Sequence, residues 1–257
     1  MGIFEAILLG VIQGLTEFLP VSSSGHLEIV KVIFNNSLTK ESLLTTVVLH
    51  AATALSTIFV FRKDVIILFR EVPKNSHFLL KIIISMIPAV LIGFFLESQI
   101  EAFFSGQLLL VGVMLIITGI LLWFSDRVKN STNELTFTNS LIIGIAQAIA
   151  ILPGVSRSGA TIATSILLGI DKKSSARFSF LMVIPLIFGV MIKKILAPEF
   201  CLEKEMLIPL IIGFISAFFT GIIACKWMIK LVQNSRLKYF AFYCFSVSGI
   251  IFISYLF

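Results

Sequence analysis

Two short stretches of this chain hold the residue types that could do chemistry, and both lie inside apolar sequence. The first, QGLTEFLPVSSSGH, places Glu17, Ser22, Ser23, Ser24 and His26 within ten residues. The second, LPGVSRSGAT, sets Arg157 between the hydroxyls of Ser156 and Ser158, with Thr161 four residues further on. A guanidinium offers a rigid fork of donors suited to phosphate oxygens, and a helix restarting after a break adds oriented backbone N–H groups. Together the stretches describe a site for a multiply charged phosphate anion. A carboxylate beside phosphate is unfavourable unless a cation lies between them or it handles a proton. Glu17 is therefore also expected to hold Mg2+ or Ca2+, both of which prefer oxygen ligands.

The elements that must position these residues are two copies of one pattern. Gly10, Gln13, Ser22, Ser24 and Gly25 recur 134 residues later as Gly144, Gln147, Ser156, Ser158 and Gly159, and each copy has its own proline, Pro20 or Pro153. Broken apolar segments in corresponding halves point to an intramembrane site built from discontinuous helices. Ionisable groups at such depth are costly, so Glu17, His26 and Arg157 are functional candidates by default. A Glu17–Arg157 ion pair that merely pins the two segments together would leave the serines and His26 without a role.

Composition sets the surroundings. With 58% hydrophobic residues, 13% charged residues and 25 Phe in 257 residues, the chain reads as an all-α polytopic integral membrane protein. Six mostly apolar runs are long enough to span a bilayer, at 42–61, 78–97, 107–124, 177–196, 207–226 and 238–257. The copied regions, 2–33 and 138–170, each hold two shorter apolar pieces joined by Pro and a Ser/Gly turn, and are read as re-entrant helix-turn-helix hairpins. Irregular backbone at membrane depth must be satisfied by protein or by a water-filled cavity, so the turns should face an interior cleft. One membrane domain, 1–257, thus divides into repeats of about 1–130 and 135–257, each a hairpin followed by three spans. Three spans invert the second copy, which makes this an inverted-topology repeat whose two turns should meet near the midplane.

Charge gives the orientation. The segments 62–81, 125–137, 171–177 and 226–238 carry fourteen of the twenty Lys and Arg, and the positive-inside rule makes them cytoplasmic. The opposite segments contain Glu97, Glu101, Glu199, Glu203 and Glu205, and both termini are expected on that outer side. The formal charge of +6 is spread over span ends and forms no basic domain, so nucleic acid is excluded as a partner. Cys201, Cys225 and Cys244 have no spacing suited to a metal or a disulfide framework. No removed signal peptide is expected, because Glu5, Gln13 and Glu17 interrupt the first apolar stretch.

Other polar or small residues have plainer readings. His50, in an apolar span, reads as a packing or hydrogen-bonding residue, and His77 as interfacial. Gly10 and Gly14, and Gly213, Ala217 and Gly221, make small-residue ladders for close helix packing. Glu5 and Glu28 read as solvated near the outer end of the first hairpin, and Asp126, Arg127 and Lys129 as a solvated loop cluster.

The segments Gln13 to His26 and Pro153 to Thr161 resemble the two signature regions of the undecaprenyl-diphosphate phosphatases of the bacitracin-resistance type, bacterial inner-membrane enzymes. The resemblance runs through nearly the whole scaffold, including Ile87-Pro88-Ala89 and Phe178-Ser179-Phe180. It implies hydrolysis of undecaprenyl diphosphate to the monophosphate and inorganic phosphate, which recycles the lipid carrier for peptidoglycan and gives bacitracin resistance. It also implies a cleft open to the outer side, with membrane lipids and the polyprenyl diphosphate as partners and a homodimer as a further expectation. The family's acidic motif falls on Gln13 and Glu17, its serine-histidine motif on Ser22, Ser23 and His26, and its arginine motif on Ser156, Arg157, Ser158 and Thr161. Many members have a second Glu where this chain has Gln13, a difference that weakens a two-carboxylate metal site.

On this reading Ser23 is the nucleophile on the terminal phosphoryl group and His26 its general base and later acid, since a free hydroxyl is a weak nucleophile. Ser22 and Ser24 join Ser156, Arg157, Ser158 and Thr161 in clamping the diphosphate, and Arg157 stabilises transition-state charge. A mechanism with His26 as nucleophile, or activating water directly, stays open. The rival from another class is a secondary transporter or polyprenyl-phosphate flippase, which would use the same architecture. The asymmetry of the turns, Glu and His in one and Arg in the other, favours acid-base chemistry on a phosphate.

Overall fold

The computed structural model describes residues 2–33, 42–70, 72–96, 99–100, 103, 107–128, 133–196 and 206–255. These form eleven helices: α1 (Ile3–Phe18), α2 (Ser23–Ile33), α3 (Ser42–Val60), α4 (Arg62–Arg70), α5 (Val72–Phe95), α6 (Leu108–Asp126), α7 (Phe137–Ile149), α8 (Arg157–Leu167), α9 (Lys172–Ile195), α10 (Leu207–Gln233) and α11 (Leu237–Ser254). Among the described residues there is no strand, only an isolated parallel bridge between Asn133 and Ile170. Five helices are long and apolar enough to cross a membrane, and α3 with α4 makes a sixth candidate bent by 81°. The chain is therefore an all-α polytopic membrane protein. Glu97, Glu101, Lys129, Glu199, Cys201, Glu203 and Glu205 lie outside the described residues.

The breaks follow from local chemistry. A residue before proline is pushed out of the helical region, and Leu19, preceding Pro20, is extended (φ −69°, ψ 140°) and ends α1. The second break contains Pro153 and then Gly154, whose φ of +95° is a conformation that glycine adopts without strain. After each break a serine restarts the helix. Ser22 Oγ accepts from Gly25 N (3.2 Å), and Ser156 Oγ accepts from Gly159 N (3.1 Å).

Packing repeats with the pattern. The first arm α1 lies along α10, and its counterpart α7 lies along α5, the helix that corresponds to α10 under the 134-residue shift. The third spans of the two halves, α6 and α11, pack on each other, with Ser248 Oγ donating to Gly112 O at 2.8 Å. Helices in lipid gain no hydrophobic advantage by associating, so close approach through small residues carries the packing. A Cβ on Gly10 would lie 2.5 Å from Gly213 O, and one on Gly14 would run into Thr220 Oγ1 and sit 2.7 Å from Ala217 O. A Cβ on Gly144 would meet the backbone of Ser85. At the centre Phe18 packs edge-on against Phe180 of α9 (5.6 Å between ring centres), which also touches Phe61 (6.0 Å).

Gly14→Ala is accordingly expected to cost about 1–3 kcal/mol of stability, the usual range for overpacking. Gly93, where an added Cβ meets nothing within 4 Å, should tolerate Ala and gain up to about 1 kcal/mol of helix propensity. Thermal unfolding of both variants in detergent checks the contrast. Equal midpoints would contradict the α1–α10 packing.

Three expectations are corrected. The basic segment 62–81 is not a simple loop. Its start, RKDVIILFR, forms α4, in which charged ends flank an apolar centre. Glu28 is buried, not solvated, and has a partner. Asp126 caps α11 by accepting from Leu237 N at 2.8 Å, while Arg127 is exposed and lies over the Trp123 ring.

Candidate active site

The two turns come together. Ser158 Oγ donates to Leu19 O (3.4 Å), across from the second turn to the first. A Cβ on Gly159 would lie 3.2 Å from Pro20 Cβ, and one on Gly25 would lie 3.3 Å from Gly154 Cα, so both repeated glycines stand where the turns touch. Each turn is also latched by a third span. Thr118 Oγ1 of α6 accepts from Ser156 N (3.1 Å) and reaches Gly154 O (3.4 Å), while Cys244 Sγ of α11 donates to Pro20 O (3.7 Å).

At this junction the starts of α2 and α8 face one carboxylate. Ser23 and Arg157 are the first residues of those helices and occupy corresponding positions in the pattern. Arg157 Nη2 is ion-paired with Glu17 Oε1. The other oxygen, Oε2, accepts from Ser23 Oγ (3.0 Å) and Gln13 Nε2 (3.0 Å), and His50 Nε2 lies 3.7 Å away. Glu17 is buried, so these donors and the Arg157 charge are what make a carboxylate tenable there.

His26 is held differently. Ser22, at φ +70° in the left-handed region that disfavours non-glycine residues, accepts through its carbonyl from both the backbone N–H (3.2 Å) and the ring Nδ1–H (2.8 Å) of His26. A carbonyl only accepts, so the ring proton sits on Nδ1 and Nε2 is the acceptor. That nitrogen takes a hydrogen bond from the Tyr243 hydroxyl at 2.7 Å, and the two rings stack (5.6 Å, 10°).

The remaining serines and Thr161 are engaged in building the turns. Ser22 Oγ lies 3.3 Å from Ser24 Oγ, and Ser156 Oγ 3.3 Å from Ser158 Oγ, one arrangement made twice. Thr161 Oγ1 donates to the backbone O of Arg157 (2.8 Å) and meets Ser179 Oγ (2.5 Å), tying α8 to α9. Thus Gln13, Glu17, Ser23 and Arg157 form one connected group, while His26 is linked to Tyr243 instead of to Ser23. Sequence reasoning set His50 aside and missed Tyr243. The cost of an ionisable side chain in a span was the signal available for His50. Tyr243 gives none, since tyrosine is ordinary in membrane helices.

The expected cation can be tested against the donors present. Gln13 must turn its NH2 toward the acceptor-only carboxylate, which leaves Gln13 Oε1 buried without a partner beside Glu17. One orphan amide oxygen and one carboxylate suit a hard cation, but they are fewer than the six or more oxygens it takes. Among the described residues no group of three or more His, Cys, Asp or Glu gathers. The set fits Mg2+ or Ca2+ only if phosphate oxygens complete the shell.

By class this is an all-α integral membrane protein in which an arginine, a carboxylate and a hydroxyl meet at the starts of two helices. The chain belongs to the family of the bacitracin resistance protein BacA, whose model matches residues 6–251. It is 56% identical over 253 residues to an undecaprenyl-diphosphatase of Christiangramia forsetii, covering 96% of each chain. It is 45% identical to one of Bacteroides fragilis, over 96% of each chain, and 43% identical to one of Parabacteroides distasonis, over 99% of this chain and 98% of the relative.

Proposed function

We infer that this chain hydrolyses undecaprenyl diphosphate to undecaprenyl phosphate and inorganic phosphate, recycling the carrier for cell-wall synthesis and conferring bacitracin resistance. Family membership supports the activity. The observation that carries the site is the junction of Ser23 and Arg157, each at a helix start, on the two oxygens of Glu17. The test is phosphate release from undecaprenyl diphosphate by detergent-purified protein with Mg2+ or Ca2+. No release from a folded, monodisperse sample under any cation condition would move lipid transport to first place.

In the reaction we propose, the diphosphate displaces Glu17 from Arg157, since a multiply charged phosphate competes well for a guanidinium fork. Ser23 Oγ attacks the terminal phosphorus and gives its proton to Glu17 Oε2, its hydrogen-bond partner. The bond from phosphorus to the bridging oxygen breaks, and undecaprenyl phosphate leaves. Water then attacks the phosphorus with His26 Nε2 taking its proton, the bond from phosphorus to Ser23 Oγ breaks, Glu17 returns its proton to Ser23 Oγ, and inorganic phosphate leaves. Base duty for Ser23 thus passes from His26 to Glu17, because Glu17 is the group that Ser23 touches. Ser22, Ser24, Ser156 and Ser158 shape the two N-termini that point at the phosphate, and Thr161 bonds the backbone O of Arg157.

A divalent cation, Mg2+ or Ca2+, would be held by Glu17 and Gln13 Oε1 together with substrate oxygens, and would offset phosphate charge there. Gln13→Glu adds the missing carboxylate, and ligand charge tunes cation affinity. The cation concentration for half-maximal phosphate release should fall by about tenfold or more in that variant, about 1.4 kcal/mol. Superimposable Mg2+ and Ca2+ titrations of variant and wild type would remove Gln13 from cation binding.

The architecture we propose is six spans with the two helix pairs as re-entrant hairpins in an inverted-topology repeat, a multi-pass protein of the bacterial inner membrane. The corresponding α1–α10 and α7–α5 pairings and the twice-made serine caps support it. The basic segments support cytoplasmic loops opposite the two termini, and the family resemblance is what supports a site open to the outer side.

A further inference from the structure

The two halves differ in how their second arms pack. The second arm α8 packs along α6, but its counterpart α2 is not packed along α11. His26 lies on α2 and faces α11 at that place. What reaches across is Tyr243 of α11, half-exposed, next to the Cys244 that latches the first turn. Its hydroxyl donates to Nε2 at 2.7 Å and its ring stacks on the imidazole.

We propose that Tyr243 is the positioning residue of the phosphatase reaction: it holds His26 in the Nδ1–H tautomer, with Nε2 aimed along the separation between α2 and α11. The two anchors of the ring are complementary. Ser22 O demands a proton on Nδ1, and the Tyr243 hydroxyl demands a lone pair on Nε2. A neutral imidazole satisfies both in one tautomer and one orientation only. Nε2 therefore keeps its lone pair and its direction, and the phenol is the group that the attacking water must displace or share. Loss of the hydroxyl leaves Ser22 as the sole anchor and frees the ring to turn about its Nδ1 hydrogen bond. The inference rests on the assignment of His26 to the site.

Tyr243→Phe keeps the stacked ring and removes only the hydroxyl. It is expected to lower kcat by about 10- to 100-fold, as loss of an orienting partner does. KM should stay within about twofold, because KM reports substrate binding, in which this hydroxyl has no part. The signature of the mechanism is spectroscopic. The chain has three histidines, so 15N-histidine NMR in detergent resolves them, and His26 is assigned by its absence in His26→Gln. Wild type should give a protonated Nδ1 and a bare, hydrogen-bonded Nε2, and Tyr243→Phe should lose the hydrogen-bond displacement of the Nε2 signal. A fall in kcat together with that spectral change supports the proposal. Either change without the other overturns it, as does an unaltered variant. His26→Gln assayed alongside separates the two levels: full phosphate release there removes His26 from the reaction, whatever the spectra give for Tyr243.

Discussion

Arg157→Ala should release phosphate at least about a thousandfold more slowly than wild type, the scale on which arginines that neutralise phosphoryl-transfer transition states act. The guanidinium stands at the first position of α8 between two serines, so substrate oxygens would meet its donors and the helix N-terminus together. Lysine keeps the charge but loses the fork, so Arg157→Lys should recover only part of the rate. The substitution also touches stability. Glu17 would lose its ion-pair partner while buried, and breaking a buried pair typically costs about 3–5 kcal/mol. Glu17→Gln combined with Arg157→Ala removes both charges and should regain much of the thermal midpoint, with activity still absent. Phosphate release and thermal unfolding measured on all three variants separate the roles. An Arg157→Ala protein that folds and turns over within tenfold of wild type would reduce the residue to the structural pin considered at the outset.

How much of this arrangement could be read from the chain alone depends on the range of the signal. The break after Phe18 was readable because a proline restricts its predecessor locally, and the second break because Gly154 permits a positive φ. The repeated serines were readable as one motif, since a cap is made within three residues. The small residues on α1 and α10 were readable as contact surfaces, though not as each other's partners, which depends on where two distant helices meet. The short helix α4 escaped because charges at both ends of an apolar core look the same in a loop as in an interfacial helix. The direction of a hydroxyl is a tertiary matter. Thr161 was expected to face phosphate and instead bonds Ser179, and Ser23 was expected beside His26 and instead bonds Glu17. His50 carried the signal of an ionisable group in a span but not its partner, and Tyr243 carried none, so the packing of α3 and α11 is what brings them to the site.

Ser23→Ala should be the most damaging change of all, lowering phosphate release by at least about 10⁴-fold, the scale seen when a covalent nucleophile is removed. The argument is one of access. Ser23 Oγ is the nucleophile that already has a proton acceptor at 3.0 Å, while His26 Nε2 is occupied by the Tyr243 phenol. A rate loss alone does not distinguish a nucleophile from a phosphate ligand, but the intermediate does. Acid quenching of wild type during turnover should leave a phosphoryl group on the peptide containing Ser23, detectable by mass spectrometry and absent from Ser23→Ala. Glu17→Gln should slow formation of that species by about 10² to 10⁴, the range for general base catalysis. His26→Ala should do the reverse and let it accumulate, because the water step loses its base while the serine step keeps Glu17. The alternative, with His26 as nucleophile, makes the opposite forecast. An acid-labile, base-stable phosphoenzyme would persist in Ser23→Ala and vanish in His26→Ala, and that result would exchange the roles of the two residues.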